Sequence, residues 1–140
     1  RTVWESREAL PAALQARYQV REYMHDDLAD ALAAADVVIA RAGAATMGEL
    51  PAVGAPAILV PYPHSGQHQY ANARHMERHG AALVVEDAGL AENLVGAVRE
   101  ILSDPERRAR MARHSRELAR PEAARCLAME LGRLAGYETE

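Results

Sequence analysis

The chain has no lysine and no phenylalanine, a single cysteine, and only one tryptophan and five tyrosines in 140 residues. The lone thiol, Cys126, rules out an intramolecular disulfide and suits a reducing compartment. The longest apolar runs, Ala31 to Ala35, Val37 to Ala40 and Ala57 to Val60, fall far short of the ~20 residues a membrane-spanning helix needs. The opening residues Arg1-Thr2-Val3-Trp4-Glu5-Ser6-Arg7-Glu8 lack the apolar centre of a secretory signal, so a cytoplasmic setting is expected. A net charge of −4 argues against a general nucleic-acid binder, which would carry a cationic surplus. Ser6, Ser65, Ser103 and Ser115 never stand in a Gly-x-Ser-x-Gly elbow, which disfavours a Ser-His-Asp hydrolase. No linker, repeat or low-complexity tract divides the sequence, and a hydrophobic content of 49% is enough for one core, so residues 1–140 are read as a single domain.

What is present is alternation. Thr2 to Trp4 reads as a short strand and Arg7 to Ala16 as a helix; Val20 to Tyr23 is β-like, and Asp26 or Asp27 caps a helix running to Ala35. The unbroken run Val37 to Ala40 predicts a strand covered on both sides. A helix from about Thr46 stops at Gly54, with Pro56 blocking its continuation, and Ala57 to Val60 forms the next strand. A helix over Gln67 to His79, a strand over Ala82 to Val85, and helices over about Leu90 to Leu102, Glu106 to Leu118 and Glu122 to Leu134 complete the chain, Pro105 standing where a first helical turn tolerates it. All 16 basic residues are arginines, and Arg107, Arg108, Arg110, Arg113, Arg116 and Arg120 crowd one segment. A solvated helix face accounts for them, with a phosphate or lipid-headgroup contact as the alternative. Four or five short strands alternating with helices predict an α/β fold, a Rossmann-like parallel sheet flanked by helices.

Ligands of such sheets bind beyond the carboxyl ends of the strands. Three loops should converge there: Tyr23 to Asp27, Arg41 to Thr46 and Pro61 to Gln69. In the second, Arg41-Ala42-Gly43-Ala44-Ala45-Thr46-Met47-Gly48-Glu49-Leu50, a small-residue turn leads from a strand into a helix whose first N–H groups and dipole favour an anion. Thr46 and Glu49 have two readings. They form a capping box that closes the helix start, or the N–H groups of Ala44, Ala45 and Thr46 face a diphosphate while the Glu49 carboxylate accepts from the vicinal hydroxyls of a ribose. The third loop and the helix after it, Pro61 to Ala73, offer neutral hydrogen-bonding groups, among them His64, His68, Gln69 and Asn72, which suit a hexose. His64 and His68, like His75 and His79, have the four-residue spacing of a zinc site. No cysteine pair or intervening glutamate supports one, so no metal is expected.

Taken in order, Ala35-Asp36-Val37-Val38-Ile39-Ala40-Arg41-Ala42-Gly43-Ala44-Ala45-Thr46 through Glu49, Gly54-Ala55-Pro56, Pro61-Tyr62, His64, His68-Gln69, Asn72-Ala73 and Ala119-Arg120-Pro121-Glu122-Ala123-Ala124 resemble a known family. They are similar to the C-terminal, donor-binding domain of the MurG-like glycosyltransferases of family 28. The resemblance covers about Val20 to Ala135 and implies half of a GT-B fold lacking its first strand, with the N-terminal acceptor domain absent. It implies a bacterial enzyme that transfers N-acetylglucosamine from UDP-N-acetylglucosamine to undecaprenyl-diphosphoryl-MurNAc-pentapeptide, converting lipid I to lipid II. Acceptor site, general base and membrane-facing patch would lie in the missing half, so this chain alone should be inactive. The full-length protein would be cytoplasmic and peripheral on the inner face of the plasma membrane. On this resemblance Met24 and His25 flank uracil, Gly43, Ala44, Ala45 and Thr46 cradle the diphosphate, Glu49 holds the ribose, and His68 with Gln69 contacts the sugar. Arg41 buttresses the phosphate loop or meets the charge of the departing UDP, and no cofactor or metal is implied. His68 stands where some members carry glutamine, and Pro51 is awkward as the fifth residue of a helix capped by Thr46. A different or split GT-B transferase, and a non-catalytic interaction module on the same scaffold, remain the rival readings.

Overall fold

The computed structural model describes residues 2–65 and 67–137. Gly66, part of the expected sugar-side loop, lies outside the described residues. A three-stranded parallel sheet, β1 (Val38–Ala40), β2 (Ala57–Leu59) and β3 (Ala82–Val84), runs in the order β1-β2-β3. Val38 pairs with Ala57 and Ala57 with Ala82, so the strands are in step and their carboxyl ends lie along one edge.

The helices are α1 (Val3–Glu8), α2 (Ala12–Gln15), α3 (Leu28–Ala34), α4 (Ala44–Val53), α5 (His68–Arg78), α6 (Leu90–Leu102), α7 (Pro105–Glu117) and α8 (Ala123–Leu134). The α/β class holds, and among the described residues three strands rather than four or five carry it. Side chains of β2 alternate between two cores. Ala57 and Leu59 join Leu50, Ala73 and Met76 from α4 and α5, while Ile58 and Val60 join Ile101 and Met111 from α6 and α7. With no phenylalanine available, both cores are built from aliphatic side chains and methionine.

Several sequence expectations are corrected. Thr2 to Trp4 is not a strand: the Thr2 hydroxyl accepts from the Glu5 N–H at 3.2 Å and Glu5 accepts from the Thr2 N–H at 2.7 Å, a capping box that starts α1. The helix expected over Arg7 to Ala16 is broken, because Pro11 has no N–H to donate and disfavours helical geometry at Leu10. Val20 to Tyr23 is irregular, and among the described residues no strand pairs with it to complete its hydrogen bonds. Among the described residues β1 is an edge strand, and Ile39 is 48% exposed, so only one of its faces is covered. β2, between two neighbours, is buried throughout.

Helix α4 begins at Ala44, two residues earlier than expected, with Gly43 at its N-cap. Pro51 is therefore its eighth residue, not its fifth, and lies buried near the C-terminal end. The helix ends at Gly54, whose φ of 68° needs glycine and whose missing Cβ leaves room for Arg116. Ser115 of α7 donates its hydroxyl to the Leu50 carbonyl at 3.3 Å, so α4 is anchored by the helix that crosses it. In the arginine-rich segment, Arg107 pairs with Glu100, Arg108 with Asp36 at 3.2 Å and Arg110 with Glu106 at 3.8 Å. These pairings fit a helix face that carries its own counter-ions. No helix among the described residues is long and apolar enough to cross a membrane.

Candidate functional site at the carboxyl edge of the sheet

The segment after β1 enters α4 without a side-chain cap. Alanine is the strongest helix former and glycine is an acceptable N-cap, so Gly43-Ala44-Ala45 carries the chain into helix before Thr46 is reached. Thr46 is the third helical residue, and the capping-box reading of Thr46 and Glu49 is overturned. The first-turn N–H groups of Ala44, Ala45 and Thr46 have no partner one turn back, as in any α-helix, and no side chain caps them among the described residues. Glu49 stands exposed one turn further along, on the same side as Thr46.

Gly43 has an ordinary φ of −68°, so conformation does not require glycine there. A Cβ built on it would meet only the Thr46 hydroxyl oxygen, at 4.0 Å. Open space in front of a bare backbone at a helix start is what close approach of an anion needs.

The next loop is tied to this one through the sheet edge. Asn72 of α5 donates Nδ2 to the Ala42 carbonyl at 2.9 Å, and Gln69 accepts the Tyr62 N–H on Oε1 at 3.0 Å. Asn72 thus buttresses the loop between β1 and α4, while Gln69 fixes the loop after β2, its amide NH2 making no hydrogen bond among the described residues. Arg41 lies across the same edge, donating from Nη1 to the Val60 and Pro61 carbonyls at 3.3 and 3.5 Å and to Asp87, with its guanidinium carbon 5.4 Å from the Tyr62 ring centre. His64 packs edge-on against Tyr62, ring centres 5.5 Å apart.

His68, the exposed first residue of α5, lines an open groove of about 650 Å³ with Gln67, Tyr70, Ala71 and Arg74. Arg74 bridges Glu77 at 2.7 Å and Glu86 at 2.9 Å, which holds its guanidinium charged, the hydrogen bond to Glu77 contributing most. Partial desolvation, and then the nearby Glu86 carboxylate, push the Tyr70 phenol above its ordinary value. Met24 is half-buried and His25 exposed in the irregular segment before α3, where the His25 ring packs at a tilt of 54° against Tyr23 with centres 4.4 Å apart. No side-chain hydrogen bond joins Met24 or His25 to Arg41 through Glu49 among the described residues.

The structure therefore brings Arg41, Gly43 to Thr46, Gln69, Asn72 and His64 into one connected edge, with Glu49 and His68 exposed in the helices that lead from it. Sequence reasoning missed Asp87, in the short 3-10 turn Asp87–Gly89 after β3, because it lies 46 residues beyond the Arg41 it pairs with. No group of three or more His, Cys, Asp or Glu side chains is placed to hold a metal ion among the described residues.

Residues 5–127 match the glycosyltransferase family 28 C-terminal domain. The chain belongs to that family. It is 42% identical over 141 aligned positions to the UDP-N-acetylglucosamine--N-acetylmuramyl-(pentapeptide) pyrophosphoryl-undecaprenol N-acetylglucosamine transferase of Roseiflexus sp. (strain RS-1), covering 87% of this chain and 32% of that protein. The enzyme of the same name from Salinibacter ruber is 44% identical over 120 positions, 85% of this chain and 32% of its own length. Among solved structures, MurG of Acinetobacter baumannii superposes with a TM-score of 0.74 at 29% identity, covering 86% of this chain and 38% of that one. This chain spans about a third of the length of the curated relatives it matches. As a family 28 C-terminal domain it has the MurG-type Rossmann-like fold, and the likeness to the solved structure confirms the sheet-and-helix architecture.

Proposed function

We propose that this chain is the donor-binding part of an N-acetylglucosaminyltransferase that converts lipid I to lipid II, and that it holds UDP-N-acetylglucosamine along the carboxyl edge of its sheet. The observation that carries the reading is the uncapped start of α4, open at Gly43, with an exposed glutamate one turn in, at the strand edge of a family 28 domain. The N–H groups of Ala44, Ala45 and Thr46 receive the diphosphate, and Glu49 takes two ribose hydroxyls on its two oxygens. Met24 and His25 flank the uracil. His68, the free amide of Gln69, His64 and the region of Asn72 face the sugar.

In the inverting reaction an acceptor hydroxyl, relieved of its proton by a general base, forms a bond to the anomeric carbon as the bond to UDP breaks. Negative charge grows on the departing diphosphate. The first turn of α4 and the Arg41 guanidinium are already oriented at that edge, so they stabilise the leaving group without rearrangement or a metal ion. On this reading the base, the lipid-linked acceptor site and the contact with the inner face of the plasma membrane are supplied by a partner domain, since this chain spans about a third of the length of its relatives.

Calorimetric titration of the chain with UDP-N-acetylglucosamine tests the reading. Saturable binding that UDP competes away is expected, weakened relative to full-length relatives. Absence of binding at millimolar donor would overturn it in favour of a non-catalytic module.

A further inference from the structure

Asp87 lies outside every segment that the sequence marks for function, in the turn that follows β3. Its partner Arg41 leaves the end of β1, passes the Val60 and Pro61 carbonyls at the end of β2, and reaches the Asp87 carboxylate at 2.5 Å. Because the strands are ordered β1-β2-β3, this one side chain straps the turns behind all three. The two carbonyl contacts, at 3.3 and 3.5 Å, are too long to hold a guanidinium that is 47% exposed. The charge-assisted bond to Asp87 supplies the orientation, and the Tyr62 ring limits the remaining swing.

We infer that Asp87 is a positioning residue for the donor site, holding the Arg41 guanidinium across the strand ends in one orientation. This rests on reading the edge from Arg41 to Glu49 as the donor site. Two effects of the carboxylate oppose each other, and they give the inference a definite sign. If Asp87 only neutralised Arg41, removing its charge would strengthen the local positive field and tighten binding of a diphosphate. If it positions Arg41, removing it frees a flexible side chain that must then be ordered when the anion arrives, and binding loosens.

The test titrates UDP into the unsubstituted chain and the variants Asp87→Asn, Asp87→Glu, Arg41→Ala and the double variant Asp87→Asn/Arg41→Ala. Asp87→Asn should weaken UDP binding about fivefold to tenfold, with Asp87→Glu recovering most of the loss. The double variant should bind no worse than Arg41→Ala alone, because both changes remove the same oriented cation. Unchanged or tighter binding by Asp87→Asn, or additive losses in the double variant, would overturn the inference. A merely structural role would lower the melting temperature without this pattern of rescue and non-additivity. Should the unsubstituted chain bind no UDP, the donor reading fails by itself, and side-chain ¹⁵N resonances of Arg41 decide the remaining point. Resolved Nη signals that collapse in Asp87→Asn support positioning; signals already averaged in the unsubstituted chain refute it.

Discussion

The pattern Thr-x-x-Glu occurs twice in this chain, at Thr2 to Glu5 and at Thr46 to Glu49, and the two copies do opposite things. At α1 both side chains turn back on their own backbone and close the helix start. At α4 the helix has already begun at Ala44, so Thr46 is too deep to cap and Glu49 points away into solvent. The first copy uses its donors and carboxylate to stabilise the chain itself. The second leaves both available, and it does so at the edge where a parallel sheet takes its ligands. A capping motif is thus released from capping when small helix-forming residues move the helix start upstream of it, as the proposed donor site requires.

The sharpest way to break this contrast is Glu49→Ala. If the carboxylate holds two ribose hydroxyls, UDP affinity should fall about 10-fold to 100-fold, the worth of one or two hydrogen bonds to a charged group. Stability should stay within about 0.5 kcal/mol, because an exposed side chain is removed. Equal UDP affinity in a calorimetric comparison would return Glu49 to an ordinary helix face. Next comes Gly43→Ala. The added methyl meets nothing in the chain closer than the Thr46 hydroxyl at 4.0 Å, so thermal unfolding should show a loss below about 1 kcal/mol. If a phosphate comes up against that bare backbone, the methyl should still weaken UDP binding about fivefold to tenfold through lost N–H contacts. Full affinity in this variant would place the anion elsewhere.

The same contrast explains what was legible in the sequence. Val37 to Ala40, Ala57 to Val60 and Ala82 to Val85 were readable as strands because strands inside a parallel sheet are continuous apolar runs, and all three hold to within a residue at each end. Helix stops at Gly54 and Pro105's place at the first turn of α7 follow from backbone chemistry that no tertiary contact overrides. Failures came where local signals competed. Thr2 to Trp4 and Val20 to Tyr23 carry β-branched or aromatic residues, but a strand also needs a partner and neither has one among the described residues. At α4 the capping-box pattern competes with the helix propensity of Ala44 and Ala45, and in the structure the propensity prevails. The edge residues Arg41, Gln69 and Asn72 were visible as candidates, whereas the bonds that join them were not. Asp87 was invisible for the same reason: only the strand order brings it to Arg41.

A smaller effect marks how far the binding edge extends. His68 is exposed at the start of α5, and Gln69 beside it already spends its oxygen on the Tyr62 N–H. His68→Ala should therefore weaken UDP-N-acetylglucosamine about threefold to fivefold while leaving UDP itself unchanged, one neutral hydrogen bond to the sugar being lost. Parallel titrations of the two ligands check it. Equal losses for both would move His68 to the nucleotide side.

The least effect is expected from Thr2→Ala, and that makes it the control for the whole comparison. Removing an N-cap hydroxyl costs the local helix about 1 kcal/mol. Yet α1 contributes no buried residue, so its first turn can fray while both cores stay intact. Amide exchange at Glu5, whose N–H the Thr2 hydroxyl accepts, should accelerate several-fold, with no change in UDP affinity. The matching change at the second copy, Thr46→Ala, should leave amide protection along α4 where it was, because that hydroxyl caps nothing. If instead Thr46→Ala exposed the start of α4 to exchange as Thr2→Ala exposes α1, the two copies would be alike, and the open helix start on which the binding edge is built would be gone.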